Sequence, residues 1–109
     1  MTLGDKHCVP CEGGTVPLSL EKAEELMKEV RGWALSADGT SISKTIKLKN
    51  FLEAMEFANK ITPIAEAEGH HPDLAISWGK VSVSLSTHSI GGLSDNDFIL
   101  AAKIDQLHP

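Results

Sequence analysis

Between Ser19 and Val30, apolar side chains recur at Leu20, Ala23, Leu26, Met27 and Val30, a spacing that puts them on one stripe of a helix. Ser19 can act as its N-cap, and Glu21, Glu24 and Glu25 suit the positive end of the helix dipole. Gly32 predicts the stop, as a residue just past a helix end that readily takes positive φ. The period then changes. Trp33-Ala34-Leu35 and Ile42 to Leu48 predict two strands around a turn at Ala37-Asp38-Gly39-Thr40, with Ile42, Ile46 and Leu48 sharing one face. Lys44 falls on that apolar face and interrupts it.

A helical stripe returns at Phe51, Met55, Ala58, Ile61 and Ala65, with Asn50 as cap. Pro63 predicts a kink there, since its ring removes a donor and clashes with the preceding turn at about 3 kcal/mol in a helix interior. Leu74, Ile76 and Trp78 alternate, as do Val81, Val83 and Leu85, around Gly79-Lys80, whose Gly-X order predicts a two-residue hairpin turn. Ser94 to Asp97 has the form of a capping box and opens a last helix carrying Phe98, Ala101, Ile104 and Leu107. Helix, two strands, helix, two strands, helix predicts an α+β fold: a four-stranded antiparallel sheet with three helices on one face. The other face stays polar, and His88 leaves the core side, because Ser82, Ser84, Ser86 and His88 alternate with Val81, Val83, Leu85 and Thr87.

With 109 residues the chain can bury one core, so residues 18–109 are expected to form one domain behind an irregular arm, 1–17, where Gly, Pro and Cys replace any sustained period. Hydrophobic residues at 41% and charged residues at 23% argue against disorder. Ten basic against fifteen acidic residues leave a net charge of −5 without a basic run, which argues against direct nucleic-acid binding. No apolar run approaches the ~20 residues a membrane helix needs. Two cysteines, Cys8 and Cys11, are too sparse for a disulfide framework and suggest a cytoplasmic location.

His70 and His71 precede the second hairpin and His88 follows it, so the hairpin brings its two ends together. A turn centred between Gly79 and Lys80 sets His71 opposite His88 if the ladder has no bulge. Histidine titrates near neutrality, so neighbouring imidazoles can act as acid and base together. The alternatives are that these rings only cap a helix end and rim the sheet, or that they bind zinc; adjacent histidines project differently, which disfavours the metal. Cys8 and Cys11, with His7 as a third donor, form a weak redox or metal signal and are read as structural or incidental. Asp97 can close the capping box, support the site, or do both. Trp33 and Trp78 are expected in the core or an interface, or as walls of a ligand pocket.

Three ordered segments carry a more specific signal: Glu66-x-x-x-His70-His71-Pro72-Asp73, Lys80-Val81-x-Val83-x-Leu85-x-Thr87-His88, and Gly92-Leu93-Ser94-x-x-Asp97. Together they resemble the pterin-4a-carbinolamine dehydratase family over about residues 18 to 108, leaving out the arm. The resemblance implies dehydration of 4a-hydroxytetrahydropterin to quinonoid dihydropterin in tetrahydrobiopterin recycling. His70, His71 and His88 would be catalytic, Glu66, Ser86 and Thr87 would lie around the substrate, and Asp97 would support them. It implies no metal and no cofactor, a homodimer or homotetramer, and a link to an aromatic amino acid hydroxylase. Gly69, where some members carry a carboxylate, and Pro63 depart from the family pattern. The alternative is a non-catalytic dimerisation, coactivator or pterin-binding module, since a family member also binds a homeodomain transcription factor.

Overall fold

The computed structural model describes residues 2–9 and 16–107. Cys11 lies outside them, so the Cys8/Cys11 expectation does too. The elements are a 3-10 turn, Leu3–Asp5; α1, Leu20–Met27; β1, Ala34–Leu35; β2, Ile42–Lys47; α2, Phe51–Glu68; β3, Asp73–Ser77; β4, Lys80–Leu85; a second 3-10 turn, His88–Ile90; and α3, Asp95–Asp105. The strands form one antiparallel sheet in the order β1-β2-β4-β3. The α+β expectation holds, and no helix among the described residues is long and apolar enough to cross a membrane.

Pairings of Ile42 with Leu85, Ile46 with Val81, Leu74 with Val83 and Ile76 with Val81 collect the apolar residues on one sheet face. Val81, Val83 and Leu85 are fully buried there among Phe98, Leu100, Ala101 and Ile104 of α3 and Phe57 and Ile61 of α2. The opposite face carries Ser43, Thr45, Ser82 and Ser84, with Thr45 and Ser82 joined by their hydroxyls at 3.1 Å. Lys44 remains on the apolar face because its stem reaches the edge. Its ammonium sits 2.8 Å from Asp105 Oδ1, and Asp105 also accepts the Trp33 indole N–H. The resulting Lys44, Asp105 and Trp33 cluster keeps the polar atoms of a half-buried corner satisfied.

Several boundaries differ from expectation. α1 ends at Met27, one turn early, so Gly32 is not its cap; its φ of 82° instead turns the chain into β1. On α2 the buried stripe is Ala54, Phe57, Ala58, Ile61 and Ala65, while Phe51 and Met55 face outward. α2 continues through Pro63, which costs one backbone hydrogen bond, and Thr62 Oγ1 bonds the Ala58 carbonyl in the same turn. Surrounding packing offsets the proline penalty, as tertiary contacts often override propensity.

The hairpin turn is Trp78-Gly79, not Gly79-Lys80: Ser77 pairs with Lys80, and Gly79 has a φ of 75°. The register therefore slips by two residues, which preserves each residue's face but lifts Trp78 out of the strand and leaves it 72% exposed. Trp33, at 6%, is a core residue. The slip sets Asp73 opposite Ser84, ends the ladder before His71, and removes the expected His71–His88 pairing. Within the described part of the arm, the Leu3–Asp5 turn packs on α3 with Leu3 buried.

Candidate functional site

α2 ends at Glu68, and Gly69 caps it in the left-handed conformation with φ 64°. Glycine adopts that conformation without a Cβ penalty, which is the physical reason Gly69 suits the place where a carboxylate would be strained. The cap redirects the chain so that His70 folds back toward the start of α3. Its Nε2 hydrogen-bonds with Asp97 Oδ1 at 2.6 Å; the His70 side chain is 12% exposed and Asp97 is fully buried.

Asp97 does more than close the predicted capping box. Its Oδ2 accepts the Ser94 amide at 3.0 Å and the Thr87 hydroxyl at 2.8 Å, while Thr87 Oγ1 and Ser94 Oγ lie 2.8 Å apart. Thr87 is fixed in turn by backbone pairing with Gly92. Three chain segments thus converge on one buried carboxylate. Such a group holds an imidazole in one orientation and leaves its other nitrogen, Nδ1, for a ligand. An open cleft of about 340 Å³, lined in part by His70, Gly69, Thr87 and Asn96, lies over this cluster.

The other expected residues sit elsewhere. His71 Nε2 hydrogen-bonds with Glu66 Oε2 at 2.5 Å, both side chains being well exposed, and the two line a separate depression of about 160 Å³ with Pro72 and Leu74. His88 is on the 3-10 turn rather than on β4; its Nε2 is 3.7 Å from Asp73 Oδ2, and it borders a third depression, of about 230 Å³, with Ser86. His70, His71 and His88 thus line three different clefts at the same end of the sheet. Among the described residues, no three His, Cys, Asp or Glu side chains cluster in a way that could hold a metal ion.

Sequence reasoning missed Glu68 and Asn96. Glu68 Oε1 accepts the Cys8 amide at 2.7 Å, and its Oε2 lies 2.9 Å from His7 Nδ1 and 3.8 Å from Lys103 Nζ. The Cys8 amide, and then His7, hold the Glu68 carboxyl below the usual glutamate range. Burial, and then the charge of Glu68, push the Cys8 thiol up to about 12, which makes it a poor nucleophile near neutrality. The available signal was Glu68 itself, a carboxylate in the last turn of a helix, where the dipole disfavours negative charge.

Residues 16–107 match the family model described as pterin 4 alpha carbinolamine dehydratase. The chain belongs to the pterin 4 alpha carbinolamine dehydratase family. It is 47% identical over 107 residues to a protein of Halorhodospira halophila that carries the provisional name pterin-4-alpha-carbinolamine dehydratase, covering 98% of each chain. A Methylococcus capsulatus protein with the same provisional name is 48% identical, covering 97% of this chain and 93% of that one. Among solved structures, a transcriptional coactivator/pterin dehydratase from Brucella melitensis aligns with a TM-score of 0.76 and 28% identity, over 82% of this chain and 95% of that one. A pterin dehydratase-like protein described as a RuBisCO assembly factor in the alpha-carboxysome shares the fold alone, at 16% identity and a TM-score of 0.58, over 69% of this chain and 87% of that one. In this dehydratase family member, Asp97 is the residue whose weight the motif understated.

Proposed function

We propose that this protein dehydrates 4a-hydroxytetrahydropterin, with the cleft over His70 receiving the bicyclic ring. The observation that carries the reading is the His70–Asp97–Thr87 network, a buried carboxylate that orients one imidazole at a cleft wall. Dehydration breaks the C4a–O bond and needs a proton on the departing oxygen. The N5 lone pair forms the new C=N bond, and the N5 proton leaves to a base. No electrons are exchanged with a second reactant, so acid and base side chains suffice. Each can contribute about 10²- to 10⁴-fold.

His70 and His88 exchange these protons, while His71 with Glu66, and Ser86, meet the parts of the ligand that extend past the cleft into the depressions they line. Thr87 acts through Asp97, since its hydroxyl is committed to that carboxylate. Among the described residues the His88 ring has one ion-pair contact, exposed and 3.7 Å from Asp73, a weak restraint that leaves the ring able to turn toward the cleft, where its neighbours Thr87 and Ser89 already contribute. The exposed side chains of Phe51, Leu52 and Met55 on one side of α2 support self-association into a homodimer or homotetramer. A link to an aromatic amino acid hydroxylase, which generates the 4a-hydroxypterin, and a role in tetrahydrobiopterin recycling complete the proposal.

The test is the decay of freshly generated 4a-hydroxytetrahydropterin, followed by ultraviolet absorbance with and without the protein and with a chelator present. Acceleration that survives the chelator supports the reading. No acceleration by folded protein rejects it in favour of a non-catalytic pterin-binding or dimerisation module.

A further inference from the structure

The segment from Leu3 to Val9 lies before residues 16–107, which match the family model, yet it reaches the His70 cleft. Its backbone is fixed at both of its last two described residues. Glu68 accepts the Cys8 amide at 2.7 Å. The Asn96 side chain then pairs with Val9 in both directions: Val9 N–H donates to Asn96 Oδ1 at 3.0 Å, and Asn96 Nδ2 donates to the Val9 carbonyl at 2.5 Å. Further back, Lys103 Nζ donates to the Gly4 carbonyl at 3.0 Å and Leu3 is buried in the core.

These anchors are not scattered over the surface. Glu68 stands two residues before His70, and Asn96 stands one residue before Asp97, so the segment spans the two elements that supply the buried His70–Asp97 pair. Asn96 is itself only 4% exposed. Val9 nonetheless keeps 66% of its surface open and lines the cleft beside His70, Thr87 and Asn96. The described lining is otherwise polar or glycine, so Val9 is its one aliphatic side chain. An apolar side chain whose backbone is already fixed binds a flat ring without further loss of backbone entropy.

We propose that Val9, held at the end of the anchored Leu3–Val9 segment, forms a fixed wall of the ligand cleft and contacts the face of the pterin, with Asn96 and Glu68 acting as positioning residues that hold it in place. The proposal rests on the assignment of this cleft to a pterin. Val9 touches ground state and transition state alike, so its loss weakens binding without slowing the chemical step.

The experiment compares wild type, Val9→Ser and Asn96→Ala in two assays: turnover of 4a-hydroxytetrahydropterin, and equilibrium binding of oxidised biopterin followed by its fluorescence. Val9→Ser is expected to raise KM and the biopterin dissociation constant about five-fold, with kcat within about two-fold and an unchanged melting temperature. Asn96→Ala is expected to shift KM in the same direction while kcat is retained. Wild-type turnover with unchanged KM and binding in Val9→Ser overturns the wall and leaves the dehydratase reading intact. Absent wild-type turnover, with biopterin binding weakened by Val9→Ser, rejects the dehydratase and supports the wall. A wild type that neither turns over nor binds biopterin overturns both.

Discussion

His70 with Asp97 and His88 with Asp73 are both histidine–aspartate pairs, but they have different physical consequences. The first lies at 2.6 Å, with side chains 12% and 0% exposed, and its carboxylate is held by two further donors. The second lies at 3.7 Å, with side chains 76% and 75% exposed. Water screens the exposed pair and leaves both side chains their rotamer freedom, whereas burial makes the first pair rigid and its loss expensive. The exposed His71–Glu66 pair belongs with the second kind despite its short contact. One pair is built to orient a ring; the others leave their rings free to follow a ligand.

Removing the buried carboxylate is the severest way to break this contrast. Asp97→Ala strands His70, the Thr87 hydroxyl and the Ser94 amide together, and is expected to lower stability by about 3 kcal/mol or more, read from the urea midpoint at constant slope. Dehydration should fall with it. Next comes His88→Ala, expected under the proposed mechanism to reduce kcat about 100-fold while the melting temperature hardly moves, because the exposed side chain has little packing to lose. An unchanged kcat would remove His88 from the proton transfers.

Acid provides a third, smaller test, through Glu68. Its carboxyl is depressed in the folded state, so its contribution is fully present above the ordinary glutamate pKa of about 4.3 and is lost as pH falls through the lower folded value. Amide-exchange protection at Cys8 and Val9 should therefore decline below about pH 4, before that of the β4 core amides. Simultaneous loss at both places would show that the arm does not depend on Glu68. The smallest effect is expected for Asp73→Asn, within about 0.5 kcal/mol of wild type in the same urea titration. A larger loss would mean that the exposed pair contributes far more than its geometry allows.

The helix caps Ser19, Asn50 and Ser94, the alternation of β4 and the polar outer face were legible in the sequence because they follow from local spacing. The hairpin register was less so. Trp78 fits an alternating strand by its chemistry, and only Gly79 at the second turn position, with positive φ, expels it into the turn. A slip of two residues preserves the apolar face, so periodicity could not detect it. It nevertheless decides whether His71 and His88 face each other. The stripe on α2 was misplaced for a similar reason, since Phe51 and Phe57 are equally apolar and only tertiary packing selects Phe57 for the core. Of the site, the residue types were legible and the division of labour was not. Burial separates His70 from the other two histidines, and burial arises from contacts between α2, α3 and the arm that no local pattern encodes.

The most direct test of the account is the rate of 4a-hydroxytetrahydropterin dehydration by His70→Gln and His71→Gln side by side, at saturating substrate and with melting curves to verify folding. The buried, carboxylate-oriented ring should matter most: His70→Gln is expected to lose about 100-fold or more in kcat, and His71→Gln about ten-fold or less. Equal losses, or a His70→Gln enzyme within about two-fold of wild type, would contradict the proposal that the Asp97-held histidine, rather than His71, transfers a proton.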